Sequence, residues 1–100
     1  MIARQHKTNR GLIVALCDKK LLGKKFSEGD AIIDLSADFY KGEEVSEETA
    51  LKICKKAYLV NAAGEKSVRL LLSNGFLEEK NIICIAKIPF AQCMILENEV

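Results

Sequence analysis

The sequence predicts an α+β fold in which strands at both ends of the chain flank two consecutive central helices. Two observations predict this order: apolar runs bounded by turn residues lie near each terminus, and residues 46–73 place apolar side chains at helical spacing. Strands and helices that are kept apart along the chain favour a mixed or antiparallel sheet with the helices packed on one face. The length of 100 residues predicts a single globular domain, 1–100.

The N-terminal strands are predicted to form a β-hairpin. Ile2–Thr8 alternates weakly between apolar and polar residues, Asn9-Arg10-Gly11 is a turn signal, and Leu12–Cys17 is typical of a buried strand. Asp18 is a candidate cap for a short helical turn that ends at Gly23.

One further strand is predicted between this hairpin and the helices. Residues 24–29 are expected to form a loop, and Asp30–Leu35 is predicted to be the third strand. Residues 36–42 return to irregular structure, in which Phe39 and Tyr40 are expected to pin the loop onto the core.

The central helices follow each other closely in the sequence. Ser46 is a good N-cap for the first, an amphipathic helix with acidic residues in its first turn. Asn61 is predicted to cap a second helix over Ala62–Ser73, and Asn74-Gly75 supplies its left-handed end.

The C-terminal part of the chain is predicted to return to strands. Asn81–Ala86 is an apolar run that favours a strand, and Pro89 is expected to end it because proline cannot donate to a β-ladder. Cys93–Leu96 is predicted to form a last short strand.

Charge is distributed unevenly along the chain, although the net charge is only +1. Residues 26–100 carry a net −5, whereas residues 1–25 carry a net +6, because only Asp18 opposes seven basic residues there. Such an asymmetry indicates an anionic partner, and lysines and arginines supply affinity for RNA phosphates without sequence specificity. The seven basic residues are Arg4, Lys7, Arg10, Lys19, Lys20, Lys24 and Lys25.

The four cysteines are predicted to be buried core residues of a protein from a reducing cytoplasm. Their spacing contains no Cys-x-x-Cys pair, so neither a metal nor a cofactor is predicted.

The N-terminus lacks the apolar stretch of a signal peptide, and no apolar run is long enough to span a membrane. His6 could meet Cys17 across the hairpin. Whether the two side chains face each other depends on the register of the two strands, which the sequence does not give, so a catalytic pair is disfavoured.

Phosphate-binding loops of the nucleotide-hydrolase type are excluded. Gly23-Lys24-Lys25 and Gly64-Glu65-Lys66-Ser67 both lack the glycines that such loops need. The most specific local feature is Asn61-x-x-Gly64-Glu65 at the predicted start of the second helix. A structural role is favoured for it, since Glu65 would repel an anion at the helix N-terminus.

Four ordered segments covering nearly the whole chain resemble a small archaeal family, domain of unknown function 424. The resemblance implies an archaeal cytoplasmic protein without an established biochemical role, and it supplies no substrate, cofactor or catalytic residue. The family often carries His where this sequence has Phe90, which argues against a shared catalytic step at that position. The segments are Cys17-Asp18-x-x-Leu21-Leu22-Gly23-Lys24-x-Phe26, Phe39-Tyr40-x-Gly42, Asn61-x-x-Gly64-Glu65-x-x-Val68 and Pro89-x-Ala91-Gln92.

Three functions are left open by the sequence. The first is binding of RNA or a ribonucleoprotein through the basic residues, with the four lysines Lys19, Lys20, Lys24 and Lys25 as the main contacts. The second is a protein-interaction module that uses the acidic body or a sheet edge. The oligomeric state is left open, and a homodimer would bury further apolar surface of a domain this small. The third, an enzyme, is disfavoured. Its site would be formed by Asn61, Gly64, Glu65 and the Pro89–Gln92 turn.

Overall fold

The structure, a computed structural model, describes residues 1–36 and 38–95, and it confirms the α+β fold class. The strands are β1 Ile2–Thr8, β2 Gly11–Cys17, β3 Lys25–Glu28, β4 Ala31–Asp34, β5 Glu43–Glu44, β6 Leu59–Ala63, β7 Ile82–Ile85 and β8 Ile88–Met94, and the helices are α1 Glu47–Lys55 and α2 Glu65–Ser73. Six strands form one mixed sheet in the order β5-β1-β2-β6-β8-β7, in which only β2 and β6 are parallel neighbours, and β3 and β4 form a separate hairpin.

The predicted N-terminal hairpin is confirmed. Its strands β1 and β2 pair from Ile2 opposite Cys17 to Thr8 opposite Gly11, so Asn9 and Arg10 form a two-residue turn. The Thr8 hydroxyl donates a hydrogen bond to the Gly11 carbonyl at 2.7 Å, which closes the turn. This register places Arg10 at one end of β2 and the segment after Cys17 at the other end.

Apolar side chains pack on both faces of the sheet. Alternate residues of the central strands, such as Leu16 and Val60, pack with Cys54 of α1 and Leu71 of α2. The intervening residues face away from the helices and form a second cluster. Its members include Cys17, Ala63, Phe90 and Leu35, with Phe26, Ile33 and Tyr40 packed against them. The β3–β4 hairpin and the loop around Tyr40 therefore cover part of the helix-free face.

The first helix begins as the sequence predicts. The Ser46 hydroxyl accepts a hydrogen bond from the Thr49 backbone N–H at 3.1 Å, which caps the N-terminus of α1. The helix ends at Lys55, and Lys56 is its C-cap. Neither α1 nor α2, the two α-helices in the described part of the chain, is long and apolar enough to cross a membrane.

The prediction for the start of the second helix is wrong. Asn61 lies in the middle of β6, and α2 begins only at Glu65, with Gly64 as its N-cap. The short segment Leu59–Ala63 is buried between β2 and β8, and this burial outweighs the local preference of Asn for a helix cap. The end of α2 agrees with the prediction, because Asn74 is its C-cap and Gly75 follows with φ +79°.

Two further predictions of irregular structure are also wrong. Residues 24–29 contain strand β3, which pairs with β4 through a turn at Gly29 and Asp30. Pro89 lies within β8, opposite Cys84 of β7. Cys84 and Pro89 form a non-hydrogen-bonded pair, so the missing N–H faces the other side, just beyond the end of β6. There the Pro89 carbonyl accepts from the Gly64 N–H, and the Gly64 carbonyl accepts from the Val68 N–H, so the missing donor leaves no acceptor unpaired.

The C-terminal prediction is only partly within the described residues. Cys93 and Met94 are the last residues of β8, which begins earlier than predicted, at Ile88. Leu96 and the tail 97–100 lie outside the residues that the structure describes.

Candidate functional site

The buried carboxylate of Asp18 joins the end of β2 to the start of α2. Asp18 is only 4% exposed. Its carboxylate accepts hydrogen bonds from the Lys66 N–H at 3.0 Å and from the Ser67 N–H and hydroxyl at 2.8 Å each. The Asp18 N–H donates to the Ala63 carbonyl at 3.0 Å. Asp18 therefore caps α2, and not, as the sequence predicts, the turn that follows it, where its side chain makes no cap hydrogen bond.

The close approach of Asp18 requires glycine at position 64. Gly64 has φ +106°, and a Cβ atom built on it would overlap the Asp18 carboxylate. Gly64 thus serves the junction of strand and helix, and Glu65 lies in the first turn of α2. Because Asp18 already occupies the positive end of α2, this helix terminus is not an anion site.

Three lysines surround a cavity of about 560 Å³ beside this junction. Lys19 and Lys20 belong to the predicted basic segment, whereas Lys66 comes from the first turn of α2. Glu44 of β5 also lines the cavity, and its carboxylate lies 3.0 Å from the Lys19 ammonium group. Met1 and Asp18 complete its lining. We call Lys19, Lys20 and Lys66 the lysine cluster.

Lys66 is the residue of this cluster that the sequence analysis misses. Its segment, Gly64-Glu65-Lys66-Ser67, attracts attention only as a poor match to a phosphate-binding loop. The lysines meet because β2 and β6 are parallel neighbours, which brings the segments after both strands to the same end of the sheet.

The other basic residues do not join the lysine cluster in one continuous surface. The Arg4 guanidinium donates to the carbonyls of Asp38 and Lys41, at 3.3 Å and 2.7 Å, and the Lys25 ammonium lies 3.9 Å from the Asp34 carboxylate. Lys7 and Arg10 lie near the hairpin turn. The length of β2 separates that turn from Lys19 by roughly 20 Å. Lys24, on the segment leading into β3, is exposed.

A second cavity, of about 410 Å³, opens on the helix-free face of the sheet. Asn61 of β6 and Gln92 of β8 lie directly opposite each other in the antiparallel register and both line it. The sequence singles out both residues as candidates, but Gly64 and Glu65 are not part of this lining. We call this cavity the amide cleft. It is lined by Ile33, Tyr40, Asn61, Ala62, Asn81, Ile83, Phe90, Ala91 and Gln92.

The amide cleft is suited to bind a neutral ligand. Its lining contains no lysine, arginine, histidine or carboxylate from the described part of the chain. Burial, and then the neighbouring Cys17, raises the pKa of Tyr40 to about 12, so its phenol stays protonated at neutral pH.

His6 and the cysteines do not form a reactive group. The His6 ring stacks on Phe39 with centroids 4.6 Å apart, and it lies opposite Ile13, four residues before Cys17. Burial, and then Asp18, raises the pKa of the Cys17 thiol to about 11, and burial, and then Cys93, raises that of Cys54 to about 12. Within residues 1–36 and 38–95, no three His, Cys, Asp or Glu side chains come close enough to hold a metal ion.

Comparisons with known proteins agree with the fold and the resemblance. The crystal structure of an uncharacterized conserved protein from Methanopyrus kandleri is similar to this chain, with a TM-score of 0.83 and 26% sequence identity. The similarity covers 99% of this chain and 94% of the other. The search of curated proteins gives no match. The family model described as "Protein of unknown function (DUF424)" matches residues 6–96, and the chain therefore belongs to this family.

Proposed function

We propose that this protein binds RNA and contacts its phosphate groups through the lysine cluster. One observation carries the proposal: Lys19, Lys20 and Lys66 line the same cavity although Lys66 lies far from the other two in sequence. Lysines that line one concave surface can bring their ammonium groups to neighbouring phosphates of a single strand. Lys7, Arg10 and Lys24 are not among the residues that line this cavity.

The charges around the cavity are available to a ligand. Lys19 and Lys20 are exposed, and the ion pair between Lys19 and Glu44 is a surface pair with side chains 66% and 57% exposed. Such pairs contribute little to stability, on the order of 0–1 kcal/mol, so a phosphate can replace Glu44 as the partner. Asp18 does not compete for the lysines, because its carboxylate is held by Lys66 N–H and Ser67.

A cytoplasmic location in an archaeal cell is part of the same proposal. All four cysteines are free thiols, and three of them are buried, as is usual in a reducing compartment. The similar protein from Methanopyrus kandleri supports an archaeal origin. RNA and its protein complexes are abundant in that compartment.

Binding of a labelled single-stranded RNA, followed by fluorescence anisotropy over a series of salt concentrations, tests the proposal. The affinity of the unmodified protein is expected to fall steeply with salt. Replacing Lys19, Lys20 and Lys66 together by Ala is expected to weaken binding roughly tenfold or more and to reduce the logarithmic salt slope by about 2, the value for three lost contacts to a single strand.

The matched control replaces Lys52, Lys55 and Lys56 by Ala. These three lysines are exposed at the outer face and end of α1, so the control removes the same net charge at another site. It is expected to change the affinity by no more than about twofold, because long-range effects of net charge are screened by salt. Equal losses in both triple variants, or no RNA binding at low salt, would overturn the proposal.

A further inference from the structure

We propose that the amide cleft binds one unpaired adenine base of the RNA. This inference rests on the proposed function and adds a site for a base to the contacts with phosphates. The adenine ring would lie against the apolar walls of the cleft, and its polar edge would meet Asn61 and Gln92. Adenine is the base that carboxamides recognise best, because one carboxamide can donate and accept in the same plane.

The carboxamides of Asn61 and Gln92 are free to bind a ligand. Within the described residues, neither side chain forms a hydrogen bond, although Asn61 is half-buried. They occupy opposite positions on neighbouring antiparallel strands, so their side chains lie on the same face at a separation set by the pleated sheet. Among the described residues no buried side-chain polar atom lacks a partner, so both amides remain accessible to water, which a base edge can replace.

The walls of the cleft supply the apolar surface that a base needs. Ile83 is 57% exposed although it lies on a strand, and Ile33 extends over the cleft from the β3–β4 hairpin. Tyr40, which is half-buried, adds aromatic surface, and Phe90 lines the cleft but is buried. The volume of about 410 Å³ is within the range of small-ligand sites. Single-stranded RNA is commonly read on a sheet surface in this way, with bases packed on aromatic or apolar side chains.

The composition of the cleft also selects among the bases. Guanine is usually read by Arg or Lys and cytosine by Asp or Glu, and the lining of the cleft contains none of these from the described part of the chain. Uracil has a smaller ring and covers less of the apolar wall. Adenine is therefore the base that matches both the carboxamides and the walls.

The first test compares single-stranded A12 and C12 RNA by anisotropy at one salt concentration. The unmodified protein is expected to bind A12 roughly tenfold more tightly than C12, as one bidentate contact provides. Gln92→Leu is expected to remove this preference and leave the affinity for C12 unchanged. Gln5→Leu is the matched control, since Gln5 is also an exposed strand residue, and it is expected to keep the preference.

The two proposals fail in different ways. Equal affinity for A12 and C12, with binding that the lysine variants weaken, would overturn the adenine site and leave the proposed function standing. A preference for A12 that Gln92→Leu retains would overturn the site as well.

The second test uses adenosine, which has no phosphate and therefore needs no lysine. Adenosine is expected to shift the side-chain amide signals of Asn61 and Gln92 in a nitrogen–proton correlation spectrum, and cytidine is expected to shift them less. Shifts from adenosine support the base site independently of the phosphate contacts, whereas their absence would overturn it.

Discussion

Asp18 accepts two hydrogen bonds from Ser67, one from the backbone N–H and one from the hydroxyl, both at 2.8 Å. The two residues are 49 positions apart, and both are buried. A carboxylate from the end of one strand thus caps the helix that follows its parallel neighbour. The contact fixes the first turn of α2, which carries Lys66, against the segment that carries Lys19 and Lys20.

Replacing Asp18 by Ala is expected to destabilise the protein by roughly 2–4 kcal/mol. The substitution leaves the Ser67 hydroxyl and two helix N–H groups without their partner in a buried position. Urea unfolding followed by circular dichroism measures the change. Asp38→Ala is the control, because the Asp38 side chain is 88% exposed and its carboxylate forms a surface ion pair with Lys41 at 3.4 Å. A loss in the Asp18 variant no larger than that of this control would contradict the capping role.

Replacing Gly64 by Ala is expected to cost more than the same substitution at Gly75. Both glycines have positive φ, +106° and +79°, which carries backbone strain of about 1–2 kcal/mol for other residues in the left-handed region. The strain is greater at Gly64, because its ψ of 160° places it in a region that essentially only glycine adopts. Only at Gly64 does the added Cβ meet a neighbour, the Asp18 carboxylate, whereas the space around Gly75 is open. The expected difference in unfolding free energy is about 2 kcal/mol. Equal losses of unfolding free energy in Gly64→Ala and Gly75→Ala would contradict this expectation, because they would mean that Asp18 moves aside without cost.

The elements that the sequence predicts well are those with strong local signals. Ile2–Thr8 and Leu12–Cys17 flank a turn, and Ser46 precedes an amphipathic pattern, so their structure is set by residues close in the chain. Strand β6 is different: it has only five residues, and two of them are alanines. Its conformation depends on pairing with β2 and β8, which local preference does not contain.

The same limit applies to the candidate sites. The sequence singles out Asn61 and Gln92 without indicating that they are neighbours, and it singles out Lys19 and Lys20 without Lys66. Each of these proximities depends on the register of β6 with another strand. A helix that began at Asn61, as predicted, would have removed the proximity of Asn61 to Gln92 and that of Lys66 to the other two lysines. The error in one short strand therefore accounts for most of what the sequence misses about the sites.

A mutation in the turn between β7 and β8 is expected to stabilise the protein. Ala86 and Lys87 have φ of +52° and +66°, in the left-handed region that favours Asn and Gly. Lys87→Gly is expected to raise the unfolding free energy by roughly 1 kcal/mol, because relief of strain exceeds the added freedom of the unfolded chain. Thermal unfolding measures the shift.

Lys55→Gly provides the comparison for this turn variant. Lys55 is the last residue of α1, where glycine lowers helix stability. Lys55→Gly is therefore expected to lower the free energy of unfolding, by up to about 1 kcal/mol. A Lys87→Gly variant that lost stability would contradict the argument, because it would mean that the side chain contributes more than the strain costs.

Alkaline pH is expected to destabilise the protein through its buried thiols. Burial raises the pKa of Cys17 from an ordinary value of 9.0 to about 11, and that of Cys54 to about 12. Above pH 9 the unfolded chain releases these protons while the folded protein retains them, so stability falls as pH rises towards the folded values. Below pH 9 both states are protonated, and these groups contribute no pH dependence.

Urea unfolding of the unmodified protein and of Cys17→Ala at pH 7 and pH 10 measures this effect. Any packing cost of the substitution is present at both pH values and cancels in the comparison. The loss of stability between pH 7 and pH 10 is expected to be smaller in the variant, because one thiol with a raised pKa is gone. Cys84→Ala is the control, since Cys84 is exposed. This variant is expected to lose as much stability between pH 7 and pH 10 as the unmodified protein. An identical loss in Cys17→Ala would mean that the Cys17 thiol titrates alike in the folded and unfolded states.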